Sequence, residues 1–86
     1  MKRKYEYANV YFYDYARKKL KIYYGKGKEE NFAAINNIGE DQLSMSHVID
    51  ALNYMDEQGY ELVSTMSDNS EGTTLVLHYI FRREIK

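Results

Sequence analysis

The chain has 86 residues, with twelve Lys or Arg against thirteen Asp or Glu and a formal net charge of -1, which is the size of one small domain burying only about 60% of its unfolded surface. It contains no cysteine, which excludes disulfide staples and thiolate metal sites and permits a reducing compartment. A hydrophobic fraction of 44%, with 15% aromatic residues, is too rich for disorder, and no run approaches the ~20 apolar residues of a membrane span.

The net charge hides an asymmetry. Residues 1 to 28 carry nine basic against two acidic side chains, or +7, so the remainder carries -8. Such a division is read first as self-complementation within the chain and second as a mark of an anionic partner. The opening "MKRKYEYANV" is basic but has no apolar segment behind it, and the expectation is an unprocessed, cytoplasmic protein forming a single domain over residues 1–86.

Lys4 to Asp14, "KYEYANVYFYD", alternates without interruption and reads as a strand. Ala8, Val10 and Phe12 leave one side, while Tyr5, Tyr7, Tyr11, Tyr13 and Tyr15 leave the other. "ARKK" makes a polar turn into a second strand, "LKIYYG", in which Leu20, Ile22 and Tyr24 alternate with Lys21 and Tyr23. From Lys26 to about Met45 the pattern is broken by glycine. Phe32, Ile35 and Ile38, three apart, either form a short helical turn or pin a loop.

Ser44 and Ser46 are both credible N-caps for the next element. Val48, Ile49, Leu52 and Met55 form an apolar stripe on a helix expected over His47 to Gln58, ended by Gly59. "YELVSTM" resumes alternation, with Tyr60, Leu62 and Ser64 opposite Glu61, Val63 and Thr65. "SDNSEG" is a turn cluster, and "TTLVLHYIFRR" is the closing strand.

The resulting fold class is α+β: a two-layer, four-stranded, mainly antiparallel sheet (ββαββ) with one amphipathic helix packed on one face. Ala8, Val10, Phe12, Leu20, Ile22, Leu62, Leu77 and Phe81 are expected beneath the helix. A helix of twelve residues spans about 18 Å and covers one face at most. The other face then presents Tyr5, Tyr7, Tyr11, Tyr13, Tyr23, Val63, Val76 and Ile80, where an antiparallel sheet normally turns polar side chains to water. Five tyrosines hiding on the order of 100 Å² each would bury roughly 1,000 Å² in a two-fold pair, about 25 kcal/mol gross. Association costs of about 4 to 15 kcal/mol leave a feasible dimer. This face is therefore the candidate contact surface for a homodimer or another protein.

"YEYANV", "LNYMDEQGYELVS" and "YIFRR" together resemble a bacterial family of small uncharacterised proteins, domain of unknown function 4177. Its members read roughly Y-E-Y, then L-N-x-L-x-x-x-G-W-E-L-V-S, then a strand ending I-F-K-R. The match touches Tyr5 to Val10 and Leu52 to Arg83, about half the chain. Tyr60 stands where the family has Trp, Arg82 stands where it has Lys, and "KKLKIYYG" with its following loop is an insertion. The resemblance implies the fold and assigns no activity.

No pattern marks an enzyme, and no catalytic residue, metal ligand or cofactor is assigned. His47 and His78 have no carboxylate at triad or ligand spacing, and Ser44 and Ser46, which would be nucleophiles only with a base beside them, are read as helix caps. "GKGK", Gly25 to Lys28, departs from the G-x-x-x-x-G-K-[ST] phosphate loop. Glu29, Glu30, Glu40 and Asp41 lack the ordered oxygen spacing of a calcium loop. The alternative function is a single-stranded nucleic-acid binder that stacks bases on the tyrosine face and uses Lys2, Arg3, Lys4, Lys19 and Lys21 for phosphates. RNA-recognition-motif patterns are absent, and the total charge is slightly acidic.

Overall fold

The computed structural model describes residues 4–14, 17–68 and 75–85. Its elements are β1 (Lys4–Asp14), β2 (Lys19–Gly25), β3 (Lys28–Asn31), the short helix α1 (Phe32–Ile35), a 3-10 turn (Glu40–Gln42), α2 (Met45–Glu57), β4 (Glu61–Asp68) and β5 (Leu75–Ile85). The strands form one antiparallel sheet in the order β3-β2-β1-β5-β4. The α+β class stands, but the sheet has five strands rather than four.

The added strand comes from the "GKGK" stretch. Lys26 and Gly27 have φ of 53° and 78° between the paired residues Gly25 and Lys28, the two-residue hairpin loop with both φ positive whose twist suits adjoining strands. "KEEN" therefore turns back on β2. Asn31 then caps α1, its Oδ1 accepting from the Ala34 backbone at 3.1 Å. Phe32, Ala33 and Leu43 are buried, so the glycine-broken segment is an anchored part of the core. Ile35 remains exposed while Ile38 packs against the core, so the spacing of three did not make a single stripe.

The core lies between α2, this segment and one side of the sheet. Ala8, Val10, Phe12, Leu20, Ile22 and Phe81 face Val48, Ala51 and Met55, and all are buried. The pairings Val10↔Ile22, Phe12↔Leu20 and Ala8↔Phe81 put the buried residues of three strands on a common face, as the two-residue side-chain period requires.

Helix α2 starts two residues earlier than expected, after the N-cap Ser44. The Ser44 N–H donates to His47 Nδ1 at 3.2 Å, a reciprocal cap in which histidine takes the usual place of Glu or Gln. At the other end Gly59 adopts φ of 88°. Its N–H reaches the Asp56 carbonyl at 2.9 Å, and the Tyr60 N–H reaches the Met55 carbonyl at 3.1 Å. These are the paired bonds of a Schellman terminus, for which glycine is suited because it carries no Cβ.

Two expectations for β4 fail together. A bulge between Leu62 and Ser64 shifts the register, so Val63 leaves the outer ladder, while Ser64 and Met66 pair with Ile80 and His78 on that side. Leu62 keeps the helix-side parity opposite Phe81 but is 48% exposed. The physical reason is reach: α2 packs over the β1 side of the sheet, and edge strand β4 lies beyond it, exposed along its whole length. Of the turn expected over 67–72, Ser67 and Asp68 instead prolong β4, and its remainder lies, with Tyr15, outside the described residues.

Candidate functional site

Both helices and the 3-10 turn lie on the core side, and no element among the described residues covers the opposite face of the sheet. Strand parity and register bring Tyr5, Tyr7, Tyr11, Tyr13, Tyr23, Val76 and Ile80 onto this face. Seven of the eight expected residues are thereby assembled, and Val63 is excluded by the bulge. Asn9, Lys19, Lys21, His78 and Arg82 share the same face.

These rings are not equally available. The Arg82 guanidinium sits 4.4 Å from the Tyr5 ring centroid while its Nε donates to Glu61 at 2.7 Å. Lys19 approaches the Tyr13 ring at 5.9 Å. Tyr11 donates its hydroxyl to Glu29 at 2.8 Å, and Lys21 holds the same carboxylate at 3.3 Å. Burial, and then the neighbouring Glu29, push the Tyr11 phenol up to about 12. The hydrogen bond from Tyr11 in turn holds the Glu29 carboxyl below its usual range. The flanks of the face are thus occupied by the chain's own cations and acids.

The accessible part is its upper centre. Tyr7, 53% exposed, and Tyr23, 40% exposed, stand beside a shallow apolar depression of ≈ 210 Å³ that also involves Asn9, Gly25 and Ile80. Asn9 Nδ2 lies 3.1 Å from His78 Nδ1, while its buried Oδ1 has no hydrogen-bond partner among the described residues. His78 is therefore placed against Asn9 and stacks obliquely on Tyr11, with 6.2 Å between centroids.

Three of the cations named for a nucleic-acid surface are among the described residues, and they do not share one place. Lys19 and Lys21 flank the tyrosines, whereas Lys4 has the parity of the core side and lies at the far end of β1. Lys2 and Arg3 lie outside the described residues.

A larger concavity, a cleft of ≈ 640 Å³, runs between α1 and α2, lined by Phe32 and Ile35 of α1 and by His47, Asp50, Tyr54 and Glu57 of α2. His47 Nδ1 is already engaged by the Ser44 cap. Nearby, Glu30 accepts hydrogen bonds from the Tyr24 and Tyr54 hydroxyls. Burial, followed by the Glu30 interaction, raises the Tyr24 phenol well above its ordinary value. Among the described residues no three His, Asp or Glu side chains converge as a metal site, and no helix is long and apolar enough to cross a membrane.

Sequence reasoning missed one junction altogether. Arg83 donates from Nη1 to the Gln58 carbonyl at 2.8 Å and from Nε to Glu6 at 2.6 Å, and its guanidinium lies 4.4 Å from the Tyr60 ring centroid. The signal was present in the closing "FRR", but parity alone does not identify the loop an arginine reaches. No protein-family model matches the chain, and no curated protein matches it.

Proposed function

We propose that this chain is a non-enzymatic, cytoplasmic interaction module that self-associates through its outer sheet face. The observation that carries the reading is the uncovered apolar centre formed by Tyr7, Tyr23 and Ile80. Tyrosine suits such a surface, because it hides a large ring while leaving its hydroxyl an exit to water or a partner. The self-paired flanks, Arg82 with Glu61 and Lys21 with Glu29, form a polar rim around that centre. The kinship with domain of unknown function 4177 belongs to the same proposal and rests on the residues quoted above.

Nucleic-acid binding at these rings has less support. Lys21 and Arg82 already contact carboxylates, and Lys4 projects from the other side, so the described residues form no continuous phosphate track.

Light scattering tests the reading. The mass of the wild-type chain should rise toward a dimer between about 5 and 500 μM, and Tyr7→Glu/Tyr23→Glu should shift that rise at least tenfold higher in concentration. A wild-type chain that stays monomeric throughout overturns it.

A further inference from the structure

We propose that the β4 edge is a second contact surface, on which a second copy of this chain lays its own β4 antiparallel to make one ten-stranded sheet. This goes beyond the tyrosine-face reading, since it uses a different surface and can stand without it.

An edge strand offers unpaired N–H and C=O groups to any other strand, and soluble proteins usually blunt such edges with charge, proline, brevity or a bulge. The two edges of this sheet are treated differently. β3 has four residues, "KEEN", three of them charged. β4 has eight, and from Leu62 to Ser67 it carries neither charge nor proline. Its bulge lies at Val63, but Ser64 to Asp68 pair continuously with β5, leaving about 17 Å of regular edge. Every residue of the strand is exposed, including Leu62 and, at 55%, Met66.

The composition selects a second β4 as occupant. Pairing β4 with β3 of another copy would bring Glu29 and Glu30 toward a strand that ends in Glu61 and Asp68, and that heterologous contact would propagate into an open fibre. A two-fold pairing closes on itself. Centred on Met66, it sets Thr65 opposite Ser67 of the partner subunit and Asp68 opposite the partner's Ser64, so the acids do not face one another. Glu61 keeps its ion pair with Arg82. Five strand residues, Ser64 to Asp68, covering roughly 50 Å² each give about 500 Å² for the pair, below the ~1,200 Å² of tight complexes, so the contact is weak and reversible.

Amide hydrogen exchange of the full chain at 20 μM and at 1 mM reads this contact directly. The expected result is protection of alternate amides between Ser64 and Asp68 that rises at least fivefold with concentration. Met66→Lys and Thr65→Lys/Met66→Lys change exposed side chains and should abolish the rise while leaving β1 and β5 protected, which shows that the fold persists. Protection independent of concentration, or an unchanged rise in both lysine variants, overturns the proposal. The Tyr7→Glu/Tyr23→Glu chain separates the two surfaces. If it keeps the β4 signal, the edge stands alone; if it loses that signal, the edge is not an independent contact and the inference fails.

Discussion

Arg83 in the last strand and Glu6 in the first are 77 residues apart, yet Nε and Nη2 of the arginine both reach one carboxylate oxygen of the glutamate, at 2.6 and 2.5 Å. The same guanidinium holds the Gln58 carbonyl at the end of α2 and lies over Tyr60. One side chain thereby ties the neighbouring strands β1 and β5 to the helix terminus.

Arg83→Ala should consequently destabilise the chain by about 2 kcal/mol, combining a charged hydrogen bond, a half-exposed ion pair and a cation–π contact. Arg83→Lys should recover less than half of that, because an ammonium lacks the planar fork. Urea midpoints at constant slope measure both. A lysine variant equal to wild type would show that charge alone matters.

Gly59→Ala tests the Schellman terminus. A Cβ there would meet Arg83 Cδ at 3.5 Å, an ordinary contact, so the cost comes from φ of 88°. The expected loss is about 1–2 kcal/mol, with Gly59→Asn milder because asparagine tolerates the left-handed region better. Equal losses for the two variants would point to packing instead.

Ser44→Ala and His47→Ala should each cost about 1 kcal/mol, and the double variant less than the sum, since the two residues share one cap. Strict additivity in thermal or urea unfolding would separate them. His47→Glu should retain most of the stability, because a carboxylate restores the customary capping box.

Leu43→Ala removes a fully buried side chain from the segment joining the 3-10 turn to α2 and should cost about 2–5 kcal/mol. A loss below about 1 kcal/mol would mean that this segment is not part of the cooperative core.

Alkaline titration followed by phenolate absorbance should show Tyr11 ionising late. Its folded pKa of about 12 lies above the ordinary 10.0, so its contribution to stability is complete below about pH 10 and is lost as pH climbs through about 12. Glu29→Gln removes the carboxylate charge that helps hold the proton and should move this ionisation downward. An unchanged midpoint would assign the whole shift to burial.

What the residues determined by themselves was local. Strand β1, with the boundaries Lys4–Asp14, follows from uninterrupted alternation. The helix stop at Gly59 follows from a change of period, and the sorting of seven outer residues onto one face follows from strand parity. Those signals depend on neighbours two to four positions apart. Tertiary structure decided the rest. "KEEN" has no apolar alternation and becomes a strand because the Lys26–Gly27 turn returns it to β2. Leu62 stays exposed because α2 packs over the β1 side of the sheet, and Val63 is displaced by a bulge. Arg83 finds Glu6 because β1 and β5 become neighbours. Register between distant strands and the placement of a helix across a sheet arise from packing the whole chain at once, so no short window of sequence contains them.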